Sequence, residues 1–417
     1  MDARKVGQDL KVGAVLTGEV RILDPGREGG AVVIQAELID STDGSQLWAE
    51  KYEARAADIL SIQEEISRQI TKELRVPPAD EKHYTNNPEA YQLYLKGRYY
   101  WNKRMYEDFY KAIDLFNQAI KKDPNYALAY TGLADSYALL VSYGLVSPRE
   151  GMPKAKAAAL KAIELDESIA EVHTSLAALK SAEWDFASAE KEYKRAIELN
   201  PNYVTAHQWY GETLGMLGRL NGAFIEINRA LELDPRSFTL MRILASFYYV
   251  ERAYDEAIEQ CKKALQVDPL YNPLHTILAQ AYGKKGMYKE SIAEYQKASR
   301  LHPEGAAKTG RDYKTLGYDA AVRSMRQRQL AWYLKASEQV YVPPELFAEF
   351  YALLGEYDKT FEWLEKAYQE RSPQLPDPIV ALRYEPDVKA LRADPRWANL
   401  LQRVGIPLKS DHIEEQH

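Results

Sequence analysis

Seven histidines and a single cysteine are the first places to look for catalysis or metal binding in this 417-residue chain. His173, His207 and His275 recur at multiples of 34 and so occupy one place in a periodic pattern. Equivalent places on stacked helices lie about one helix diameter, ~10 Å, apart. A zinc ion needs its ligands within about 2 Å, so these histidines read as packing residues and not as a shared site. The terminal HIEEQH sets its histidines one residue too far apart for the HExxH zinc pattern and lacks a helical apolar face. Of the glycine-rich stretches, GREGG falls in a hairpin turn, and GKKG at 283–286 lacks the strand and the following residues of a phosphate loop. Cys261 stands in a column otherwise held by Tyr193, Ile227 and Tyr295, and so reads as core. No catalytic, cofactor-binding or metal-binding residue is therefore expected, and no cofactor.

Two basic stretches carry aromatics or arginines in a pattern that could meet nucleic acid. KGRYYWNKR interleaves Lys96, Arg98, Lys103 and Arg104 with rings on which bases could stack. The other holds Lys308, Arg311, Lys314, Arg323, Arg326 and Arg328. Against this, the net charge is -7 and the pI near 5.7, whereas polyanion binders show a basic excess. Both stretches read as solvated basic faces, and nucleic acid is not the expected partner. A chain that cannot form an internal disulfide suits the cytoplasm. No apolar run reaches the roughly 20 residues that span a bilayer, and the start lacks the apolar core of a secretory signal.

The elements that position these residues follow from a second periodicity. Between 170 and 303 small residues stack in columns at a spacing of 34: Ala177, Gly211, Ala245, Ala279; Ala189, Ala223, Ala257, Ser291; Ala196, Ala230, Ala264, Ala298. Pro201, Pro235, Pro269 and Pro303 close each unit. Small side chains let two antiparallel helices approach closely. Proline stops the second, because it has no amide hydrogen and disfavours helix in the residue before it. One hairpin cannot bury its apolar face alone, hence the repetition.

This pattern resembles the tetratricopeptide repeat. The resemblance implies a mainly α, right-handed solenoid of helical hairpins that holds a protein or extended peptide in a concave groove. It assigns groove contacts to the second, fifth, ninth and twelfth places of each unit. Here those are Thr131 and Asp135; Glu171, Thr174 and Ala178; Thr205, Gln208 and Glu212; Arg242, Ser246 and Tyr249; and Thr276 and Gln280. The lysine, asparagine and arginine set that clamps a C-terminal carboxylate in chaperone-binding relatives is not present. The groove instead suits a neutral or mildly basic peptide, held by amide and hydroxyl groups with Tyr249 as an apolar anchor.

Residues 1–75 are a different unit. Side chains alternate from Ala14 to Leu23, with Leu16, Val20 and Ile22 on one face, which predicts a half-buried strand. A second alternating run holds Ile34, Ala36 and Leu38, and QLWAEKY forms a third strand, giving an antiparallel meander. Ile59, Ile62, Ile66 and Ile70 mark a covering helix. VGQDLKVGAVLTGEV and AELIDSTDGSQLWAEKYEARAADILSIQEEI resemble the later part of TolB-like (FlgO-like) α/β domains. Such domains precede tetratricopeptide repeats in bacterial adenylate cyclase-like, CadC-like and Ser/Thr kinase-linked regulators, which implies a role in signalling or transcriptional control. The family's opening strand and helix are missing here, so the chain reads as a fragment or truncated relative with a sheet edge open to a second copy.

The expected layout is 1–75 α/β domain, 76–88 linker, 89–303 six repeats with a looped insertion at 141–153, 304–340 an irregular helical pair, 341–371 a seventh repeat, 372–408 a capping segment and 409–417 a frayed tail. A small ligand bound between the α/β domain and the first repeats is the alternative to a protein partner.

Overall fold

A computed structural model of the chain describes residues 3–10, 12–23, 31–55, 59–74, 84–267, 269, 271–299 and 303–408. GREGG, most of the expected linker and HIEEQH lie outside the described residues. The chain divides into two compact units, Met1–Gly132 and Leu133–His417. It is mainly α, built of helical hairpins, with one small antiparallel sheet in the first unit.

In that first unit, β1 (Ala14–Leu23), β2 (Ala31–Asp40) and β3 (Gln46–Arg55) pair antiparallel in the order β1-β2-β3. Leu16 lies opposite Leu38, and Leu38 opposite Trp48. Partners across a ladder share a face, so the apolar alternation read from the sequence lines one side of the sheet. Helix α1 (Ala3–Leu10) packs near β1 and β2, and α2 (Ile59–Leu74) packs on β3. Ala36, Leu38 and Ile62 are buried. The expected half-burial of β1 is not met: Leu16 and Val20 remain 49% and 62% exposed. The covering helix leans over the opposite edge strand, leaving this part of the β1 face bare among the described residues.

The first hairpin, α3 (Pro88–Asn102) and α4 (Tyr106–Lys122), also belongs here. The Asn87 side chain accepts from the Glu89 and Ala90 amides and so caps α3. Phe116 is fully buried between two glycines, Gly97 and Gly132. A methyl group at either would come within 2.5 or 2.6 Å of the ring, which is why neither position carries a side chain.

The division between the units falls inside α5 (Ala127–Ser142). Beyond it run α6 (Pro148–Leu165), α7 (Ala170–Ala182), α8 (Phe186–Leu199), α9 (Val204–Met216), α10 (Leu220–Leu233), α11 (Phe238–Val250), α12 (Tyr254–Val267), α13 (Asn272–Lys284) and α14 (Tyr288–Ala298). The column residues from Ala177 to Ser291 are buried wherever a side chain exists, and a methyl at Gly211 would press on Ile227 at 2.9 Å. The extra residues of the second repeat form the expected loop only in part. Residues 143–147 connect the two helices, and the rest lie in the end of α5 and in the second helix, which begins at Pro148 and carries Pro153 inside it. Pro148 opens the helix, where its missing amide would have had no intrahelical partner, whereas Pro153 lies inside it and gives up one such bond.

The corner between the two helices of each hairpin needs a left-handed residue, and it recurs with the period: Trp184 (φ 64), Gly218 (φ 71), Arg252 (φ 61) and Gly286 (φ 75). Glycine adopts this conformation without penalty, whereas other residues pay about 1–2 kcal/mol. A Cβ at Gly286 meets nothing within 4 Å, so Gly286→Ala isolates the backbone term. It is expected to cost about 1 kcal/mol in a urea titration with unchanged m-value.

After 303 the period breaks into α15 (Pro303–Leu316) and α16 (Tyr318–Ala336), and resumes with α17 (Pro344–Leu353) and α18 (Tyr357–Gln369). The end of the described chain is α19 (Pro376–Tyr384), a single 3-10 turn at Pro386–Val388, α20 (Lys389–Arg392) and α21 (Pro395–Val404). Its Ile379, Leu382, Leu400 and Val404 join Phe361 and Leu364 of α18 in one core, as a cap should. That same core takes in Trp184, Phe186 and Leu217 from the third and fourth repeats. Trp184 stacks on Tyr368 at 5.3 Å between ring centres. Within this unit the end of the chain therefore returns to its earlier hairpins.

Candidate functional site

The periodic histidines form a latch that repeats with the helices. His173, His207 and His275 each place Nδ1 2.6 Å from a glutamate of the same unit's second helix, Glu192, Glu226 and Glu294. Each Nε2 reaches the carbonyl closing the previous unit, at Glu167, Pro201 and Pro269. They are packing residues, but polar ones. In the fifth repeat the histidine place holds Met241 and the glutamate place Gln260, so the pair is absent as a pair.

Two acceptors facing one imidazole favour its doubly protonated form. At His207 burial opposes the charge, but the Glu226 carboxylate and the Pro201 carbonyl outweigh it and raise the pKa, with Arg229 opposing weakly. A raised folded-state pKa gives stability that is complete below the unfolded value, about 6.5, and is lost as pH rises through the folded value. The melting temperature is thus expected to fall as pH rises from the low sixes through neutrality. The double change His207→Met with Glu226→Gln, borrowed from the fifth repeat, should flatten that slope.

The first helices of the hairpins, α5, α7, α9, α11 and α13, carry the expected groove residues, but not all of these face open space. Thr131 and Thr174 are buried and donate their hydroxyls to carbonyls of their own helices, Leu128 and Ala170. Buried Asp135 accepts from the Ser175 hydroxyl. Glu171, Ala178, Thr205 and Thr276 are half-buried. Gln208 points its amide at Glu212, at 3.4 Å. Ser246 bonds the Arg242 carbonyl. The residues that do converge on one region are Glu212, Arg242, Ser246, Tyr249 and Gln280, and what they meet there is the chain's own segment 376–388.

That segment is held by two kinds of contact. Val380 and Tyr384 pack on Leu220, with Phe224, Phe247 and Val250 around them. The Tyr249 hydroxyl donates to Glu385 at 3.2 Å. Lys284 donates to Glu385 and, at 2.9 Å, to Asp387. The Lys284 and Glu385 side chains are 19% and 11% exposed, so the pair works in a region with little water. Burial opposes the charge on Lys284, yet its two carboxylate partners hold its pKa above the ordinary lysine value. Asp377 at the other end has an exposed side chain; the protein packed around its carboxyl and the charges of Glu212 and Glu345 raise its pKa, against the pull of Arg242.

Around the segment remain three neighbouring cavities. One of about 500 Å3 is lined by Lys284, Arg323, Arg326, Tyr249, Tyr295 and Tyr318. One of about 170 Å3, sharing Tyr249 and Arg326, reaches Glu349. A third of about 460 Å3 runs from Glu349 to Tyr143 and Asp377. Lys284, Arg326, Glu349, Asp377 and Glu385 are absent from the groove positions read in the sequence. Lys284 lies 101 residues from its partner, and no periodic signal spans that distance.

Some residues of the basic stretches have internal partners. In the first unit, Arg98 and Arg104 lie over Trp101 at 4.3 and 3.6 Å, and Lys103 lies over Tyr99. In the second, Arg328 pairs with Asp312 at 2.9 Å. Cys261 is fully buried, and burial pushes its thiol up to about 12, far from a reactive thiolate. Among the described residues no group of acidic, histidine or cysteine side chains is arranged to hold a metal, and no helix is long and apolar enough to cross a membrane.

Comparison with known proteins gives the class. Residues 192–224, 226–272 and 273–304 match family models described as tetratricopeptide repeat, so the chain carries repeats of that family, a fold associated with protein–protein interaction. Among curated relatives, the putative adenylate cyclase 3 of Rhizobium meliloti is 30% identical over 183 residues, 42% of this chain and 30% of that protein. The transcriptional regulator HilA of Salmonella typhimurium is 27% identical over 138 residues, 33% of this chain and 25% of its own length. The chain thus spans less than a third of these relatives. Among solved structures, human IFIT1, a dimer with m7Gppp-AAAA, is 17% identical over 75% of this chain and 78% of its own, with TM-score 0.46. Pseudomonas aeruginosa pilF is 20% identical over 49% and 93%, with TM-score 0.39.

Proposed function

We propose that the chain is a non-enzymatic scaffold whose concave wall grips a polypeptide segment, as the interaction module of a bacterial signalling or transcriptional regulator. The observation that carries this reading is that the wall of α9, α11 and α13 already grips one, residues 376–388 of the chain itself. Apolar anchors and a lysine–carboxylate clamp are the means by which an incoming segment would be held. The wall's chemistry suits an acidic segment with an aromatic anchor, of the kind formed by Tyr384, Glu385 and Asp387, more than the neutral or basic peptide expected from groove positions alone. The meander, with its resemblance to TolB-like domains, supplies the module's second part in this reading. The regulatory role rests on what the curated relatives are called.

Affinity capture from a bacterial extract, quantified by mass spectrometry, tests it. A partner retained by the chain and lost on Arg242→Glu with Tyr249→Ala is the expected result. Equal recovery by both proteins, or turnover of a substrate by the purified chain, would overturn it.

A further inference from the structure

The cavity of about 460 Å3 is lined by aromatic and acidic side chains. On its rim, Tyr143, Trp332 and Val340 are 49%, 52% and 61% exposed, and large apolar side chains left bare together mark a place where something docks. Tyr333 and Tyr341 continue the wall. Glu345, Glu349 and Asp377 supply the acid. Glu345 is only 4% exposed and accepts from the Ser372 hydroxyl with one carboxylate oxygen, at 2.6 Å, while the other has no hydrogen-bond partner.

Glu345 is buried, Glu349 half-buried and Asp377 exposed; the protein packed around them pushes all three carboxyls upward, and the charges facing them do not neutralise the set. Glu345 faces Glu370, Glu349 faces Arg326 and Glu385, and Asp377 faces Glu212, Glu345 and Arg242. Carboxylates short of counter-charge in a partly dry cavity are unfavourable until a cation arrives. Their spacing excludes one small ion, since among the described residues no three such groups could hold a metal. Aromatic faces beside them attract positive charge and cover apolar stems.

We propose that this cavity binds an organic cation, a guanidinium or primary ammonium group, whose N–H donors meet Glu345, Glu349 and Asp377 while Trp332 and Tyr341 cover its stem. The cation is either a free diamine or guanidine, or the arginine or lysine side chain of a bound polypeptide. No partner need enter the groove at Lys284 for this pocket to fill.

Isothermal titration of the full chain separates these sources. The probes are agmatine, a blocked pentapeptide with a central arginine, and the same peptide with norleucine in its place. Agmatine binding alone marks a free cation, and binding of the arginine peptide marks a polypeptide side chain. Either is expected to weaken about tenfold in Trp332→Ala and in Glu349→Gln, and to strengthen from pH 5.5 to pH 8 as the three carboxyls lose protons. Trp332 is exposed, so its variant should keep the parent's melting temperature and leave the comparison clean. Binding of neither cation in the millimolar range would overturn the proposal. Equal binding of the norleucine peptide, or affinities unchanged in both variants, would do the same.

Discussion

Lys284→Ala is expected to cost about 3 kcal/mol, the largest effect of any single charge removed from this protein. The reason lies in Glu385, whose side chain is 11% exposed and accepts hydrogen bonds from Lys284, from Tyr249 and, at 3.3 Å, from the Asp387 amide. Removing the lysine leaves a carboxylate that water reaches poorly, and that residual charge costs more than the lost attraction. Adding Glu385→Gln to Lys284→Ala should therefore recover more than half of the loss. A double-mutant cycle by urea denaturation measures this coupling. A loss under about 0.5 kcal/mol, with no recovery, would place the pair among solvent-exposed bridges.

Trp184→Ala should be of similar size, about 3 kcal/mol, within the range for truncating a buried tryptophan. Trp184 is buried, stacks on Tyr368 at 5.3 Å and carries Arg371 above its ring, so it joins the third hairpin to the seventh. It also occupies the left-handed corner that Gly218 and Gly286 fill elsewhere. Those two facts pull in opposite directions, and they can be separated. Trp184→Gly loses the same packing but relieves the backbone, so it should be more stable than Trp184→Ala by about 1 kcal/mol. Glycine less stable than alanine at this position would mean that the corner is not under conformational demand.

The hairpins were legible because their cause is local and periodic. A small residue at 177, 211, 245 or 279 is needed wherever two helices cross, so the contact prints itself at every turn of the repeat. The histidine latch was half legible. The 34-residue recurrence of His173 and His207 was visible, but their glutamates 19 residues on gain meaning only once both helices are placed. The insertion was legible in part: Gly144 does turn the chain between the helices, but Pro148 and Pro153, which also resemble loop residues, belong to a helix, the first at its opening position and the second inside it. At the site, the reading of Tyr249 as an apolar anchor did not include what it meets, since its hydroxyl donates to Glu385. The segment 376–388 reads as a cap with a local task, and nothing in its sequence points to Lys284 or Tyr249, which lie more than 100 residues away. Solenoid periodicity carries nearest-neighbour contacts, while return of the chain end to an earlier wall is a long-range event that no period records.

Amide hydrogen exchange of residues 379–388 in the intact chain is the most direct measurement of whether the concave wall is a polypeptide-gripping surface held in cis. Protection comparable to that of α9, falling selectively in Lys284→Ala while the α9 amides keep theirs, is the expected result. Exchange of that segment at the rate of an unstructured peptide in the unmodified protein would contradict it.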